Sequence, residues 1–368
     1  MRIAYVLTSL GIGGAERQAL ALAERMAARG HAVALIVLRC RQPEEWSTSL
    51  DPIRLDMSRN PVSILTGLWK ARHLLRDFHP DLIHSHTYPA NMAARLLRIS
   101  LPETAVLSTI HNVYEGRWPR MMAYRLTDGL SRHTSAVSQA AADRFVRLKA
   151  VPHNKCAVIT NGIDTTNFAP DPERRARMRE EMDANGEFIW LTAGRIVAAK
   201  DYPTLLRAFA RVTADYSEVR IWVAGEGDVN NLTDLSKLAD ELGLSGHVRW
   251  LGLRRDMPAL LDAADGFVLS SAWEGMPLAV GEAMAMGKLV VATDVGGVRE
   301  LVGDAGVIVP ARMPESLAEA MLEMMWKTNE ERRRLGRSAR ERIAAHFSMD
   351  VKADEWELMY REVLARKK

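Results

Sequence analysis

The sequence predicts an α/β protein built of two Rossmann-like domains facing across a cleft. Three observations carry that prediction. Apolar runs of strand length alternate with helical stretches from the first residues onward, the pattern of parallel sheets covered by helices. The alternation pauses in a turn-rich stretch, Thr160–Pro172, and then restarts. At 368 residues, 48% of them hydrophobic, the chain is long and apolar enough to bury two cores.

The first series reads as strand Ile3–Thr8, helix Ala15–Ala28 closed by Gly30, and strand Ala32–Leu38. Helix Ile64–Phe78, strand Leu82–His84, helix Pro89–Arg98, strand Ala105–Thr109, strand His133–Val137 and helix Ala140–Leu148 follow. Val158–Ile159 leads into the turn Thr160-Asn-Gly-Ile-Asp164. The second series reads as strand Ile189–Ala193, helix Pro203–Asp215, strand Val219–Ala224, helix Leu232–Leu242 and strand Val248–Leu251. It closes with strand Gly266–Ser270, a helix from about Pro277 to Met286, and strands Leu289–Thr293 and Gly306–Val309. The helical tail Pro314–Lys368 is too long for one packing face. Domain bounds of 1–162 and 163–348, with 349–368 as a terminal helix, follow from this reading. No internal repeat or low-complexity segment interrupts it.

Net charge is +3, but its halves differ. Residues 1–160 hold 21 Lys and Arg against 12 Asp and Glu, and residues 161–368 hold 28 against 34. A basic first half suits a polyanionic or membrane-surface partner and equally a solvated basic face. Cys40 and Cys156 form neither a disulfide framework nor a metal spacing, which points to a reducing compartment. Met1–Leu10 reads as a first strand and not as a signal sequence. No apolar stretch nears the roughly 20 residues that span a bilayer. The expected location is cytoplasmic, with a peripheral place on the inner membrane face left open.

The densest motif is Ser271-Ala-Trp-Glu274-Gly-Met-Pro-Leu-Ala-Val-Gly-Glu282. Pro277 suits the first turn of a helix, where its missing N–H has no partner to lose. The N–H groups of Gly275, Met276 and Leu278 then point forward and suit an anion or a hydroxyl. Glu274 in the loop and Glu282 on the helix accept hydrogen bonds from paired hydroxyls, as on a sugar or a ribose. Gly194-Arg195-Ile-Val-Ala-Ala-Lys200 follows another strand, at the carboxyl end where open α/β sheets bind ligands. Arg195 brings a planar fork for phosphate oxygens and Lys200 a point charge. Gly225-Glu226-Gly227 follows the next strand, where glycine permits close backbone approach.

In the first half, Gly11-Ile-Gly13-Gly14-Ala-Glu16 separates the first strand from its helix. It is not a dinucleotide fingerprint. Glu16 stands at the third glycine position, and the second strand ends in Leu38-Arg39-Cys40 without an acid for a ribose. His111 follows a strand and belongs at the cleft. His84 reads as structural; His86 is open between a structural place and the acceptor side, where Asn112 is also placed. His-x-His without a third ligand is a poor metal site. Gly116–Arg125, with Trp118, Met121 and Met122, and Trp69–Arg76 interleave cations with apolar residues. That pattern suits an anionic membrane surface, and equally a core-facing helix with a basic outer side.

Taken in order, these motifs resemble retaining glycosyltransferases of the two-Rossmann-domain (GT-B) type, specifically the family 4 group. The resemblance covers almost the whole chain: glycine loop, strand-end histidine, Arg-x4-Lys, Glu-x7-Glu and tail. It implies that Gly13 and Gly14 lie against the donor diphosphate and that His111 touches the donor sugar. It implies that Arg195 and Lys200 neutralise the leaving diphosphate, Glu274 lies by the donor sugar, and Glu282 holds the ribose. It puts Gly225 and Gly227 near the base and returns residues near Met349–Lys368 to cover the first domain. The substrate would be a nucleotide sugar, UDP favoured over GDP, with no cofactor. The absence of Asp-x-Asp predicts no metal at the diphosphate. The expected acceptor is a saccharide, lipid-linked in surface polysaccharide or glycolipid assembly, with no nucleic-acid partner. A nucleotide-sugar epimerase or hydrolase of the same fold, and a non-catalytic nucleotide-sugar binding protein, stay open as alternatives.

Overall fold

The computed structural model describes residues 1–11, 13–39, 48–184 and 186–365. The elements run β1 (Arg2–Ser9), α1 (Gly14–Ala28), β2 (Ala32–Arg39), β3 (Pro52–Arg54), α2 (Pro61–Phe78), β4 (Leu82–His86) and α3 (Tyr88–Ser100). They continue as β5 (Ala105–Ile110), α4 (Trp118–Leu126), β6 (His133–Ala136), α5 (Gln139–Arg147) and β7 (Cys156–Val158). Next come α6 (Pro172–Glu181), β8 (Phe188–Ala193), α7 (Tyr202–Asp215), β9 (Val219–Ala224), α8 (Val229–Glu241), β10 (Val248–Gly252) and α9 (Met257–Ala263). The chain ends with β11 (Gly266–Leu269), α10 (Leu278–Ala285), β12 (Leu289–Thr293), α11 (Val298–Val302), β13 (Val307–Val309), α12 (Pro314–Trp326), α13 (Asn329–His346) and α14 (Met349–Ala365). Two compact units result: Met1–Gly162 with Met349–Lys368, and Ile163–Ser348.

Each unit is a parallel, doubly wound sheet. The first has seven strands in the order β3-β2-β1-β4-β5-β6-β7, the second six in the order β10-β9-β8-β11-β12-β13. In each, the order reverses beside the first strand of the series, and the loops at that reversal splay apart to leave room for a ligand. The reversal lies between β1 and β4 in the first unit and between β8 and β11 in the second.

In the first unit α1 and α14 cover one sheet face. Trp356, Tyr360 and Val363 project from one side of α14 into a core with Ile3, Tyr5 and Leu7 of β1 and Leu22 and Met26 of α1. Burying side chains of this size stabilises by about 1.5–3 kcal/mol each. Arg29, which caps the end of α1, adds bonds to Asp354 at 2.6 Å and Glu357 at 3.3 Å. The other face carries α2 and α3. Asn60 caps α2 through the Val62 N–H at 2.9 Å. The second unit packs α7 and α12 around Trp190, Leu205, Phe209, Leu317 and Met321.

Two predicted details are corrected. β4 runs through His86, two residues beyond the expected end at His84. Helix α10 opens at Leu278, and Pro277 takes the capping position just before it. The helical tail, expected to exceed one packing face, is three helices, of which α12 packs in the second core and α14 in the first. Helix α6 was absent from the predicted series because its face is almost wholly charged. It is held by arginines instead: Arg175 donates to the carbonyls of Asp262, Ala263 and Ala264 at the end of α9.

Candidate functional site

In the second unit the reversal between β8 and β11 brings two motifs together that lie far apart in sequence. The loop after β8 carries Arg195 and Lys200, and the loop after β11 carries Glu274. Lys200 Nζ donates to Glu274 Oε1 at 2.6 Å, and the Ser271 hydroxyl donates to the same oxygen at 2.7 Å. The loops are joined twice more: the Ser270 hydroxyl donates to the Lys200 carbonyl at 2.8 Å, and the Ala272 N–H to the Ala199 carbonyl at 2.8 Å. Arg195 is exposed and makes no side-chain bond among the described residues. The site therefore offers one uncommitted guanidinium and one ammonium held by a carboxylate. Glu282 lies on α10 and is 4% exposed. Met276, in the loop before α10, is buried, while the Gly275 carbonyl accepts a 2.7 Å bond from the Gly297 N–H.

Gly225 and Gly227 are explained by the protein's own backbone. A Cβ on Gly225 would lie 1.9 Å from the Gly194 carbonyl oxygen, and one on Gly227 would lie 2.5 Å from Ile196 Cβ. The Ile196 N–H donates to the Glu226 carbonyl at 2.7 Å. The two glycines thus let the loop after β9 press against the loop carrying Arg195 and Lys200, fixing that loop from behind.

In the first unit the strand ends hold an imidazole row. His84 is fully buried, with Nδ1 2.7 Å from the Tyr360 hydroxyl and Nε2 2.7 Å from Thr109 Oγ1, so its structural reading stands on both nitrogens. His86 is 2% exposed, and its Nδ1 lies 2.9 Å from His111 Nε2. β4 continues through it, and its ring packs against those of Tyr5, His84 and His111. His111 is half-buried just past β5, and burial lowers its pKa to about 4. Asn112 spends its Oδ1 on the Tyr114 N–H at 3.0 Å, a turn contact. Gly13 stands at the N-cap of α1, and Gly14 opens the helix. The Glu16 carboxylate curls over Gly13, 2.3 Å from where a Cβ would be, so that turn already holds an anion of the chain's own. Cys156 is half-buried and burial pushes its thiol up to about 11, which leaves it an inert thiol. Cys40 lies outside the described residues.

Two family models match. Residues 12–167 match Glycosyltransferase Family 4, and residues 174–342 match Glycosyl transferases group 1. A D-inositol 3-phosphate glycosyltransferase of Corynebacterium urealyticum is 30% identical over 312 residues, covering 77% of this chain and 72% of that protein. The chain belongs to the group 1, family 4 glycosyltransferases. The lipopolysaccharide core biosynthesis glycosyltransferase LpsE of Rhizobium meliloti is 29% identical over 363 residues, 96% of each chain. Among solved structures, Anabaena HepE in complex with UDP-glucose superposes with a TM-score of 0.83 at 20% identity over 100% of both chains, a likeness of fold. The two-domain GT-B architecture of this glycosyltransferase is therefore shared across its full length.

Several residues of this glycosyltransferase escaped the sequence reading. Glu115, past β5, accepts the His111 N–H at 2.9 Å and the Tyr124 hydroxyl at 2.9 Å. Burial pushes its carboxyl up to about 7. Gly296 has φ +56, and a Cβ there would lie 2.3 Å from the Glu274 carbonyl oxygen, so this glycine seats the Glu274 loop. Thr87 follows β4 at φ +71, a conformation a β-branched residue rarely takes, with its hydroxyl 2.7 Å from that of Thr8 at the β1–β4 reversal. None of these belongs to a spacing that a linear reading can weigh. Each is recognised by what it touches.

Proposed function

We propose that the protein is a retaining glycosyltransferase that moves a sugar from a nucleoside-diphosphate sugar to a saccharide acceptor carried on a lipid. The observation that carries this reading is the cluster at the β8–β11 reversal, where Arg195, Lys200 and Glu274 converge. A cation pair there suits the diphosphate, whose charge grows as the bond from the anomeric carbon to phosphate oxygen breaks. The electron pair of that bond goes to the diphosphate. The acceptor hydroxyl oxygen bonds the anomeric carbon on the same face, and its proton passes to the leaving phosphate oxygen. Arg195 and Lys200 supply the charge compensation, so the reaction needs no metal. On diphosphate binding Lys200 exchanges Glu274 for phosphate oxygens, and the released carboxylate takes donor hydroxyls. Glu282 serves the ribose, Gly13 and Gly14 the diphosphate, and His111 the donor sugar. UDP is the favoured nucleotide, supported by the likeness of fold to HepE with UDP-glucose.

The lipid-linked acceptor is supported by two features. LpsE, similar over nearly its whole length, is named for lipopolysaccharide core biosynthesis. The neighbouring helices α2, α3 and α4 also expose apolar side chains among cations. Val62, Leu65 and Trp69 of α2, Leu96 and Ile99 of α3, and Trp118 and Leu126 of α4 all face solvent, with Trp69 61% and Trp118 72% exposed. Lys70, Arg72, Arg76, Arg98, Arg120 and Arg125 lie between them, with Asp77 as the single acid of the three helices. Met121, grouped with them by sequence, faces the core. Such a surface suits an anionic bilayer face. Among the described residues no helix is long and apolar enough to cross a membrane.

The test is nucleoside diphosphate release from a panel of UDP- and GDP-sugars, with and without membrane lipid extract, in EDTA. Release from a UDP-sugar that requires the extract and is lost in Lys200→Ala supports the reading. Release independent of the extract assigns a hydrolase or epimerase instead. Donor binding without release assigns a binding protein.

A further inference from the structure

We propose that His86 and Glu115 are positioning residues for His111, His86 fixing its ring orientation and tautomer and Glu115 its backbone. The catalytic half of this inference rests on the reading of His111 as a donor-sugar residue. The structural half stands on geometry within the first unit.

His86 is poorly free to move. Its ring lies 4.1 Å from that of His84 and stacks at 18° on that of Tyr5, at 6.1 Å. His84 and Tyr5 are themselves tied to the Tyr360 hydroxyl of α14, at 2.7 and 2.9 Å. A continuous row thus runs from the C-terminal helix to the end of β5: Tyr360, His84, His86, His111. Burial holds His84, His86 and His111 below the ordinary imidazole range, so the row is neutral near pH 7. A neutral imidazole carries one N–H. The 2.9 Å contact between His86 Nδ1 and His111 Nε2 therefore has one donor and one acceptor.

Which ring donates follows from the far nitrogen. Among the described residues, His86 Nε2 is buried without a partner. If His111 donated, His86 would bury an N–H there with no acceptor, and orphaned buried N–H groups are rarer than orphaned acceptors. His86 thus carries its hydrogen on Nδ1 and gives it to His111 Nε2. His111 is left with its hydrogen on Nδ1, which makes that nitrogen a donor toward a ligand oxygen. The opposite tautomer would present a lone pair.

Glu115 holds the other end. Its Oε1 accepts the His111 N–H, its Oε2 accepts the Tyr124 hydroxyl, and Arg120 donates to its carbonyl at 2.8 Å. The groups around it are Tyr124 and Arg120 of α4, Arg95 of α3 behind the Tyr124 ring, and the His111 and Asn112 amides. Only the ionised carboxylate accepts on both oxygens. Protonation turns one into a donor, releasing one of the two contacts.

The test combines imidazole 15N spectra with steady-state kinetics of His86→Leu, His86→Asn and Glu115→Gln, each checked for a wild-type melting curve. Expected in the wild type is a His111 spectrum with protonated Nδ1 and bare Nε2, becoming a tautomer mixture in His86→Leu. Expected kinetically is a fall in kcat on the order of 10²-fold in His86→Leu with donor KM little changed. His86→Asn, whose amide stands where Nδ1 stands, recovers most of it. The acid limb of the wild-type profile, near pH 7, is absent in Glu115→Gln. An unchanged His111 spectrum in His86→Leu overturns the tautomer assignment. Asn as slow as Leu, or an acid limb retained in Glu115→Gln, overturns the positioning roles. A wild type that releases nucleoside diphosphate from no donor overturns the functional reading, while the spectra still decide the geometry.

Discussion

Replacing Lys200 by alanine tests the ion pair at the β8–β11 reversal in the ligand-free protein. The side chains of Lys200 and Glu274 are 19% and 13% exposed, and their 2.6 Å bond is charge-assisted on both sides. A hydrogen bond between charged groups contributes about 1.5–3 kcal/mol. Removing one partner of a fully buried pair costs about 3–5 kcal/mol, because a charge is left behind. Here the residual exposure and the Ser271 hydroxyl, 2.7 Å from the same oxygen, soften that loss. We expect Lys200→Ala to destabilise the second unit by about 2 kcal/mol, or roughly 4–8 °C in melting temperature for a domain of this size. Glu274→Gln keeps a bond to Lys200 and costs less. The double variant removes the stranded charge, so its loss falls short of the sum by about 1–2 kcal/mol. Chemical unfolding of the wild type, both singles and the double closes the cycle. Losses that add within about 0.5 kcal/mol would refute the coupling and leave the two residues as independent surface charges.

Gly225→Ala places a Cβ 1.9 Å from the Gly194 carbonyl, whereas Gly30→Ala, at φ +83, meets nothing within 4 Å. We expect the first to cost more than about 3 kcal/mol and the second about 1 kcal/mol, with equal melting temperatures contradicting the close approach. Tyr360→Phe strips the shared hydroxyl from Tyr5 and His84 Nδ1, at 2.9 and 2.7 Å, and is expected to cost about 2 kcal/mol in urea unfolding. A loss below about 0.5 kcal/mol would mean that the row does not depend on α14. Lys288 donates to the carbonyls of Asp262 and Ala264, and burial lowers its pKa from 10.5 to about 8. Between those values the unfolded chain binds the extra proton, so stability should rise as pH increases from 8 to 10.5. Lys288→Met should lack that rise when unfolding is measured across the same window, and an identical slope in both proteins would refute the assignment.

Much of the fold is legible from periodicity alone. The strands Ile3–Thr8 and Ile189–Ala193 are continuous apolar runs, because a parallel strand covered on both faces has no solvent side to mark. Helix α6 is illegible for the opposite reason, since it docks through arginines on carbonyls and buries little apolar surface. The tail shows the limit of pattern. Its helices are each readable, but which core each one enters is settled by complementarity between Trp356 or Tyr360 and a surface formed by other parts of the chain. Of the candidate residues, Arg195, Lys200 and Glu274 in the second unit and His111 in the first were legible as strand-end residues, because strand ends are where this topology puts its loops. Glu115 was not readable, being an ordinary glutamate in a loop until the His111 amide and the Tyr124 hydroxyl stand beside it. His86 was readable as a residue but not as a partner.

The sequence by itself determined the strand–helix alternation of both units, the family and the identity of the groups that follow each strand. Tertiary structure alone decided that Lys200 meets Glu274, that Gly225 seats the loop after β8, and that His86 faces His111. Local propensity and periodicity act over a few residues and survive in the linear text. Contacts between loops arise from strand order, which places residues 74 positions apart at hydrogen-bonding distance without leaving a spacing to read.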